Sequence, residues 1–134
     1  MTTNTQLVES LYADFGRGDL EAIMASLASD IDWQDYGRAS DFPALGPRHG
    51  HAEVRAFFGL LATELDFLEF TPLELHGVGD KVFVQGHSLL AMKKNGRRVD
   101  MDWVHIFAFR DGKVRSFREF SDTAQIAEAY RTAA

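Results

Sequence analysis

The chain has 134 residues, of which 46% are hydrophobic and 25% charged, a composition typical of a soluble globular domain that excludes a disordered or fibrous protein. Its formal net charge of −6 repels phosphate backbones and anionic lipid, so we expect neither nucleic acid nor a membrane as a partner. The sequence has no cysteine, and its polar start and short apolar runs predict a cytoplasmic protein without disulfides or thiolate chemistry.

The first half of the sequence predicts helices. Apolar residues recur at helical spacing over 7–15, and the glycines at 16 and 18 end that first helix. Asp19 can cap a second helix over about 20–27, which precedes a short β-like stretch at 31–33. After a loop from Gly37 to Gly50, an apolar stripe from Val54 to Leu65 predicts a third helix with a face wide enough to lie against a sheet.

The second half predicts an antiparallel meander. From Phe67 onward the hydrophobic period is two, and Gly79-Asp80, Asn95-Gly96 and Asp111-Gly112 interrupt it as hairpin turns. No repeat or linker divides the chain, so we expect one domain over 1–134. The fold class expected is α+β, with a strongly curved antiparallel sheet wrapped by three helices from the N-terminal half.

One predicted strand, from Val99 to Phe109, is informative on both faces. Its odd positions form a nearly all-aromatic face with a single titratable group, His105, in the middle. Its even positions begin with two aspartates and become apolar at Val104, Ile106 and Ala108.

The neighbours of His105 depend on the length of the last hairpin turn. A three-residue turn places Phe117 opposite His105 and Glu119 opposite Trp103, whereas a two-residue turn places Arg118 opposite His105. We favour the first register because it keeps Arg118 off the aromatic face.

A two-residue turn at Asn95-Gly96 would align Ser88 with Trp103 and Gly86 with His105. The missing side chain of Gly86 would then leave room beside the histidine, unless Gly86 only marks a bend in the sheet.

Three stretches, residues 18–23, 50–58 and 103–114, together with the order of elements, resemble the nuclear transport factor 2-like superfamily, and within it the SnoaL-like polyketide cyclases and the ketosteroid isomerases. The resemblance extends over nearly the whole chain. It implies a cone-like container whose pocket is closed by the helices and the concave sheet face, commonly in a homodimer. The fold alone does not specify a reaction, because it is used for isomerases, cyclases, hydrolases, dehydratases and binding proteins.

The resemblance also suggests where a proton-transfer site would lie. Asp35 falls on the position of the carboxylate that moves a proton in the ketosteroid isomerases, although an aspartate at the start of a glycine-containing turn is also a common turn former. At the positions of the oxygen-polarising groups this chain has His105 and Leu11, with Tyr12 displaced by one residue. These departures argue against the steroid reaction and leave other proton-transfer chemistry open.

Three further polar residues have two interpretations each. His105 is either a pocket group that donates or relays a proton, or a core histidine satisfied by a neighbour. Glu119 is a partner of His105 or a base, or else an exposed strand residue in another register. Asp122 lies where SnoaL-like cyclases place a catalytic aspartate, but the spacing to Gln125 favours a helix cap.

The pocket wall is expected to be mainly aromatic, which suits a flat apolar ligand. The predicted ligand-binding residues are Tyr12, Trp33, Phe57, Ser88, Trp103, Phe107 and Phe117. His49 and His51 flank Gly50, but they have no third ligand at suitable spacing, so no metal site is predicted.

The function favoured by these residues is that of a cofactor-independent isomerase, cyclase or dehydratase acting by proton transfer on a small, mostly apolar, ring-bearing molecule. In this hypothesis Asp35 is the base, His105 the donor or relay, and Glu119 the group that orients His105. The alternatives are a small-ligand binding protein without catalysis and a dimeric interaction module of the same fold. A homodimer through the outer sheet face is expected in each case.

Overall fold

The computed structural model describes residues 2–133, which form helices around one six-stranded sheet. The helices are α1 (Asn4–Gly16), α2 (Leu20–Ala25), α3 (Gly50–Glu64) and α4 (Thr123–Arg131). The strands are β1 (Leu27–Asp35), β2 (Gly46–His49), β3 (Leu65–Val78), β4 (Lys81–Met92), β5 (Arg98–Arg110) and β6 (Lys113–Phe120). None of the helices in the described residues is long and apolar enough to cross a membrane.

The helix starts follow from local hydrogen bonding. The Thr3 hydroxyl accepts from the Gln6 amide at 3.1 Å while the Gln6 side chain accepts from the Thr3 amide at 2.8 Å, a complete capping box for α1. Asp19 accepts from the Ala22 amide at 3.1 Å, so its predicted role as the cap of α2 is confirmed.

The sheet is curved and unclosed, with the strand order β2-β1-β6-β5-β4-β3. The α+β class with a curved sheet and packed helices is therefore confirmed. All neighbouring strands are antiparallel except β1 and β6, which run parallel because the chain reaches β6 only after the long excursion through α3 and the meander. This parallel pair brings the ends of the first and last strands side by side.

The last hairpin differs from both predicted registers. Asp111 and Gly112 form a two-residue turn with positive φ at both positions, as a type I′ hairpin requires. A bulge at Arg115 then shifts the pairing by one residue, so Glu119 lies opposite His105.

The predicted pairings of Phe117 with His105 and of Glu119 with Trp103 were therefore wrong. Phe117 instead pairs with Phe107. Because the bulge adds one residue, the odd positions of β6 still share the face of His105, and the predicted sharing of that face is correct.

The β4–β5 hairpin also has a longer turn than predicted. Ser88 pairs with Met101 and Gly86 with Trp103, two positions away from the expected alignment. The turn is lengthened where the side chain of Asn95 donates to the carbonyls of Ala129 and Thr132 at 2.8 and 2.7 Å, which ties the hairpin to the end of α4.

Gly86 leaves room for an indole and not for the imidazole. A Cβ at this position would lie 2.2 Å from the ring of Trp103. The prediction that Gly86 opens space beside His105 was therefore wrong, because the tryptophan occupies that space.

Candidate functional site

A cavity with a volume of about 110 Å³ lies between the helices and the concave sheet face. That volume holds several water molecules, since one needs roughly 10–15 Å³. Most of its wall is aromatic or aliphatic. The polar side chains in the wall are those of Tyr12, Asp35, Ser88, His105, Glu119 and Ser121.

Tyr12 reaches from α1 to the histidine on β5. Its hydroxyl lies 2.8 Å from Nδ1 of His105, and the two rings stack with centroids 5.9 Å apart. Burial, followed by the negative charge of Glu119, raises the pKa of Tyr12 above its usual value. The hydroxyl therefore keeps its proton, and we assign it as the donor to Nδ1.

The opposite nitrogen of the same ring faces a carboxylate. Nε2 of His105 lies 3.4 Å from Oε2 of Glu119, its direct partner across the β5–β6 ladder. Because Nδ1 accepts from Tyr12, the ring proton is assigned to Nε2, which lies near the carboxylate but has no hydrogen-bond partner among the described residues.

Asp35 completes the chain of polar groups from the other side of Glu119. The two residues are register partners in the parallel β1–β6 pair, so their side chains lie side by side on one face of the sheet. Oδ1 of Asp35 is buried and has no donor among the described residues, and two adjacent buried carboxylates repel each other, which favours a proton on one of them.

The proton of this pair belongs on Asp35. Burial raises the pKa of Asp35 well above its usual value, the charge of Glu119 raises it further, and Arg48 opposes the shift. A carboxyl pair that shares one proton can both give and accept a proton.

Trp103 lies behind the cavity wall instead of lining it. Its indole stacks on His105 with centroids 4.0 Å apart and on Phe70 at 5.0 Å, and Nε1 donates to the hydroxyl of Ser88 at 2.7 Å. The predicted contact of Trp103 with ligand is replaced by a packing role that fixes the plane of the histidine ring.

The other predicted aromatic residues line the cavity. Trp33 stacks on Phe117 at 4.0 Å and contacts Phe57 at 5.4 Å, while Phe107 meets Tyr12 edge-on at 5.9 Å. Their odd positions on β1, β5 and β6 place these rings on the concave face.

Asp122 and the two histidines beside Gly50 have other roles. Asp122 is exposed and accepts from the Gln125 amide at 3.1 Å as the cap of α4. His51 contacts the Leu27 carbonyl at 3.1 Å, and His49 lies 3.6 Å from Asp32. None of Asp122, His49 and His51 belongs to the cavity wall.

Several wall residues were missed by the sequence analysis: Phe42, Leu45, Phe70, Met101, Ser121 and Ile126. Ser121 continues the period-two pattern of Phe117 and Glu119, so its face could have been predicted. Met101 is an odd position of β5, on the face that the sequence analysis identified. The others come from an irregular loop, the edge strand β3 and α4, where the sequence carries no pattern that indicates a wall position.

Comparisons with known proteins agree on one family and one fold. The family model described as a SnoaL-like domain matches residues 8–117. An NTF2-like protein of unknown function from Burkholderia pseudomallei is 30% identical, with a TM-score of 0.87 over 98% of this chain and 100% of its own. An NTF2-like protein from Burkholderia xenovorans is 34% identical, with a TM-score of 0.81 over 96% and 98%.

A further solved structure is that of TerC co-crystallised with polyporic acid. It is 26% identical, with a TM-score of 0.85 over 96% of this chain and 98% of its own. A search of curated proteins finds no match.

Proposed function

The chain belongs to the SnoaL-like domain family, and from that premise we propose that it is a cofactor-independent enzyme of the isomerase, cyclase or dehydratase type. Its reaction would be acid–base proton transfer on a small, largely apolar, ring-bearing molecule. The observation that carries the proposal is the row of four neighbouring titratable side chains, Tyr12, His105, Glu119 and Asp35, along one cavity. Burying four titratable groups is costly, and a wall without them would serve a simple container better.

The carboxyl pair is the chemical centre of the proposed reaction. A ring carbon acidified by an adjacent carbonyl gives its proton to the unprotonated oxygen of the pair, while the proton already on Asp35 is available for return to another atom of the ligand. No electrons are gained or lost in this exchange, so no redox partner is needed. Asp35 thus begins the cycle as an acid, whereas the sequence analysis gave it only the role of base.

Tyr12 and His105 extend the pair to a second position in the cavity. A proton that leaves a ligand hydroxyl can be taken by the tyrosine oxygen as the tyrosine proton passes to Nδ1 and the Nε2 proton passes to Glu119. We therefore propose His105 as the relay, and its ring is stacked on the indole of Trp103.

One comparison and one feature of the cavity support the class of ligand. TerC was crystallised with polyporic acid, which supports a small organic molecule as the ligand of this chain. The mainly aromatic wall independently favours a flat ring.

Deuterium incorporation tests the proposal without knowledge of the natural substrate. Enolisable ring ketones and hydroxylated ring ketones are incubated with the protein in deuterium oxide, and mass spectrometry follows exchange at carbon. The wild type should catalyse exchange into at least one of them, and Asp35→Asn should slow it about 100-fold or more. Asp122→Asn is the matched control, because it changes an exposed aspartate outside the cavity and should exchange at the wild-type rate.

A ring ketone that binds without exchange above the buffer rate would overturn the catalytic proposal. That result would favour the alternative of a small-ligand binding protein. An equal loss of exchange in Asp35→Asn and Asp122→Asn would show that the effect is not specific to the cavity.

We also propose a homodimer through the outer face of the sheet. Val104, Phe120 and Phe83 are 38%, 46% and 36% exposed there, and Phe120 contacts Tyr36 with centroids 4.7 Å apart. Ala108, which the sequence analysis assigned to this face, is buried and adds no apolar area. Light scattering at micromolar concentration should give a dimer, and Val104→Glu should give a monomer; a monomeric wild type contradicts the proposal.

A further inference from the structure

Among the described residues that line the cavity, the side chains that can carry a full charge at neutral pH include carboxylates and no lysine or arginine. The carboxylates are those of Asp35 and Glu119. A carboxylate on a ligand would therefore meet no cation inside the cavity with which to pair.

The cation that acts on the carboxyl pair is Arg48, whose charge lowers the pKa of Asp35. Its two terminal nitrogens donate to the backbone carbonyls of Pro43 and Glu53 at 3.2 and 3.3 Å. Arg48 is thus held outside the cavity wall by two backbone contacts, although its Nε has no hydrogen-bond partner among the described residues.

Glu119 supplies the negative charge. It is the group whose charge acts on both Tyr12 and Asp35, and its side chain is only 17% exposed, so solvent screens it weakly. His105 lies 3.4 Å from it through Nε2, and in the neutral tautomer assigned above it adds no compensating charge.

From these observations we propose that the cavity selects uncharged ring molecules over ring molecules that carry a carboxylate or another anionic group, and that Glu119 is the residue that sets this selectivity. An anion placed in the cavity loses its hydration and is repelled by Glu119, whereas a neutral alcohol or ketone is not repelled and loses much less hydration energy. The inference rests on the proposed ring-binding role of the cavity but not on turnover.

Three matched probes test this selectivity: naphthalenemethanol, naphthalenecarboxylate and naphthylmethylammonium. Each is titrated calorimetrically into the protein at neutral pH. The ring is constant and the charge is zero, negative or positive. The carboxylate should bind at least about 30-fold more weakly than the alcohol to the wild type. Asp122→Asn, which lies outside the cavity, should keep the wild-type ratio.

Glu119→Gln removes the charge and keeps the shape of the side chain. It should reduce the carboxylate penalty by at least about tenfold and weaken the ammonium probe relative to the alcohol, two changes of opposite sign that a general loss of packing would not produce. If this variant does not fold, the ratio in the wild type still decides the first part of the proposal.

The outcomes separate the two proposals. Equal or tighter binding of the carboxylate to the wild type overturns the selectivity, and an unchanged ratio in folded Glu119→Gln overturns the role of Glu119. Failure of all three probes to bind refutes the ring-binding cavity, and the selectivity proposal falls with it. Selective binding without any deuterium exchange leaves the selectivity standing and removes only the catalytic proposal.

Discussion

Asp35→Asn should stabilise the protein at neutral pH. Burial and Glu119 raise the pKa of Asp35 in the folded state above the value of about 3.9 expected in the unfolded chain. The favourable contribution of the protonated acid is therefore complete below about pH 4, and it is lost as the pH rises through the raised folded-state value. Asparagine has no proton to lose, and its amide can donate to Glu119 at every pH.

The size of the gain follows from the cost of holding a proton on a buried acid at a pH where the unfolded chain has lost it. Asp35 is 6% exposed, and Glu119 beside it has the same sign of charge. Replacing such a group with a neutral one of the same shape is worth on the order of 2 kcal/mol in the free energy of unfolding. For a domain of this length that corresponds to a rise in melting temperature of roughly 7 °C.

Urea unfolding followed by tryptophan fluorescence at a series of pH values measures this effect. Asp35→Asn should match the wild type near pH 4 and exceed it increasingly toward pH 8. Asp122→Asn is the control of opposite sign, because hydrogen bonds from Gln125 lower the pKa of Asp122, so the contribution of that carboxylate is present above about pH 4 and is lost as the pH falls. A destabilised Asp35→Asn at neutral pH, or a gain that does not depend on pH, would refute the reasoning.

Three shorter predictions follow from single contacts. Tyr12→Phe removes the donor to Nδ1 of His105 and should shift the nitrogen NMR signals of that ring toward a mixture of tautomers; unchanged signals contradict the assignment. Gly86→Ala should lower the free energy of unfolding by about 1–3 kcal/mol in denaturant titrations, since its Cβ would overlap the Trp103 ring, and an unchanged stability contradicts that packing. Two aspartates on the outer face raise the pKa of His87, so its proton NMR titration midpoint should lie above about 6.5 in low salt and fall as salt is added; a midpoint at or below that value contradicts the ion pairs.

Strand faces were predictable from the sequence, whereas strand registers were not. The alternation around His105 correctly indicated that Phe117 and Glu119 share its face, because alternation depends only on whether positions are odd or even. The register of β5 with β6 depends on the bulge at Arg115, and the register of β4 with β5 depends on the longer turn around Asn95. Neither feature leaves a periodic signal in the sequence.

The contact between Tyr12 and His105 shows a second limit. The resemblance placed Leu11 at the tyrosine position, yet both Leu11 and Tyr12 line the cavity in the structure. Neighbouring helix positions differ by about 100° in direction, so the rotation of α1 against the sheet decides which side chain reaches the histidine. That rotation is set by packing across the whole core and cannot be read from the helix alone.

The pairing of Asp35 with Glu119 was also beyond the sequence. These residues are far apart in the chain and meet only because β1 and β6 run parallel at the centre of the sheet. The antiparallel meander predicted for the second half is correct, but an antiparallel sheet does not indicate the parallel β1–β6 pair, so the sequence analysis assigned the two carboxylates separate roles.

The central claim is that the buried carboxyl pair moves a proton on a ring ligand held in the cavity. Its most direct test measures both calorimetric binding and the rate of deuterium exchange for one ring ketone, in the wild type and in Asp35→Asn. The account predicts that binding changes by no more than about threefold while exchange falls about 100-fold or more. Exchange that survives in Asp35→Asn, or that falls only in proportion to binding, would contradict it.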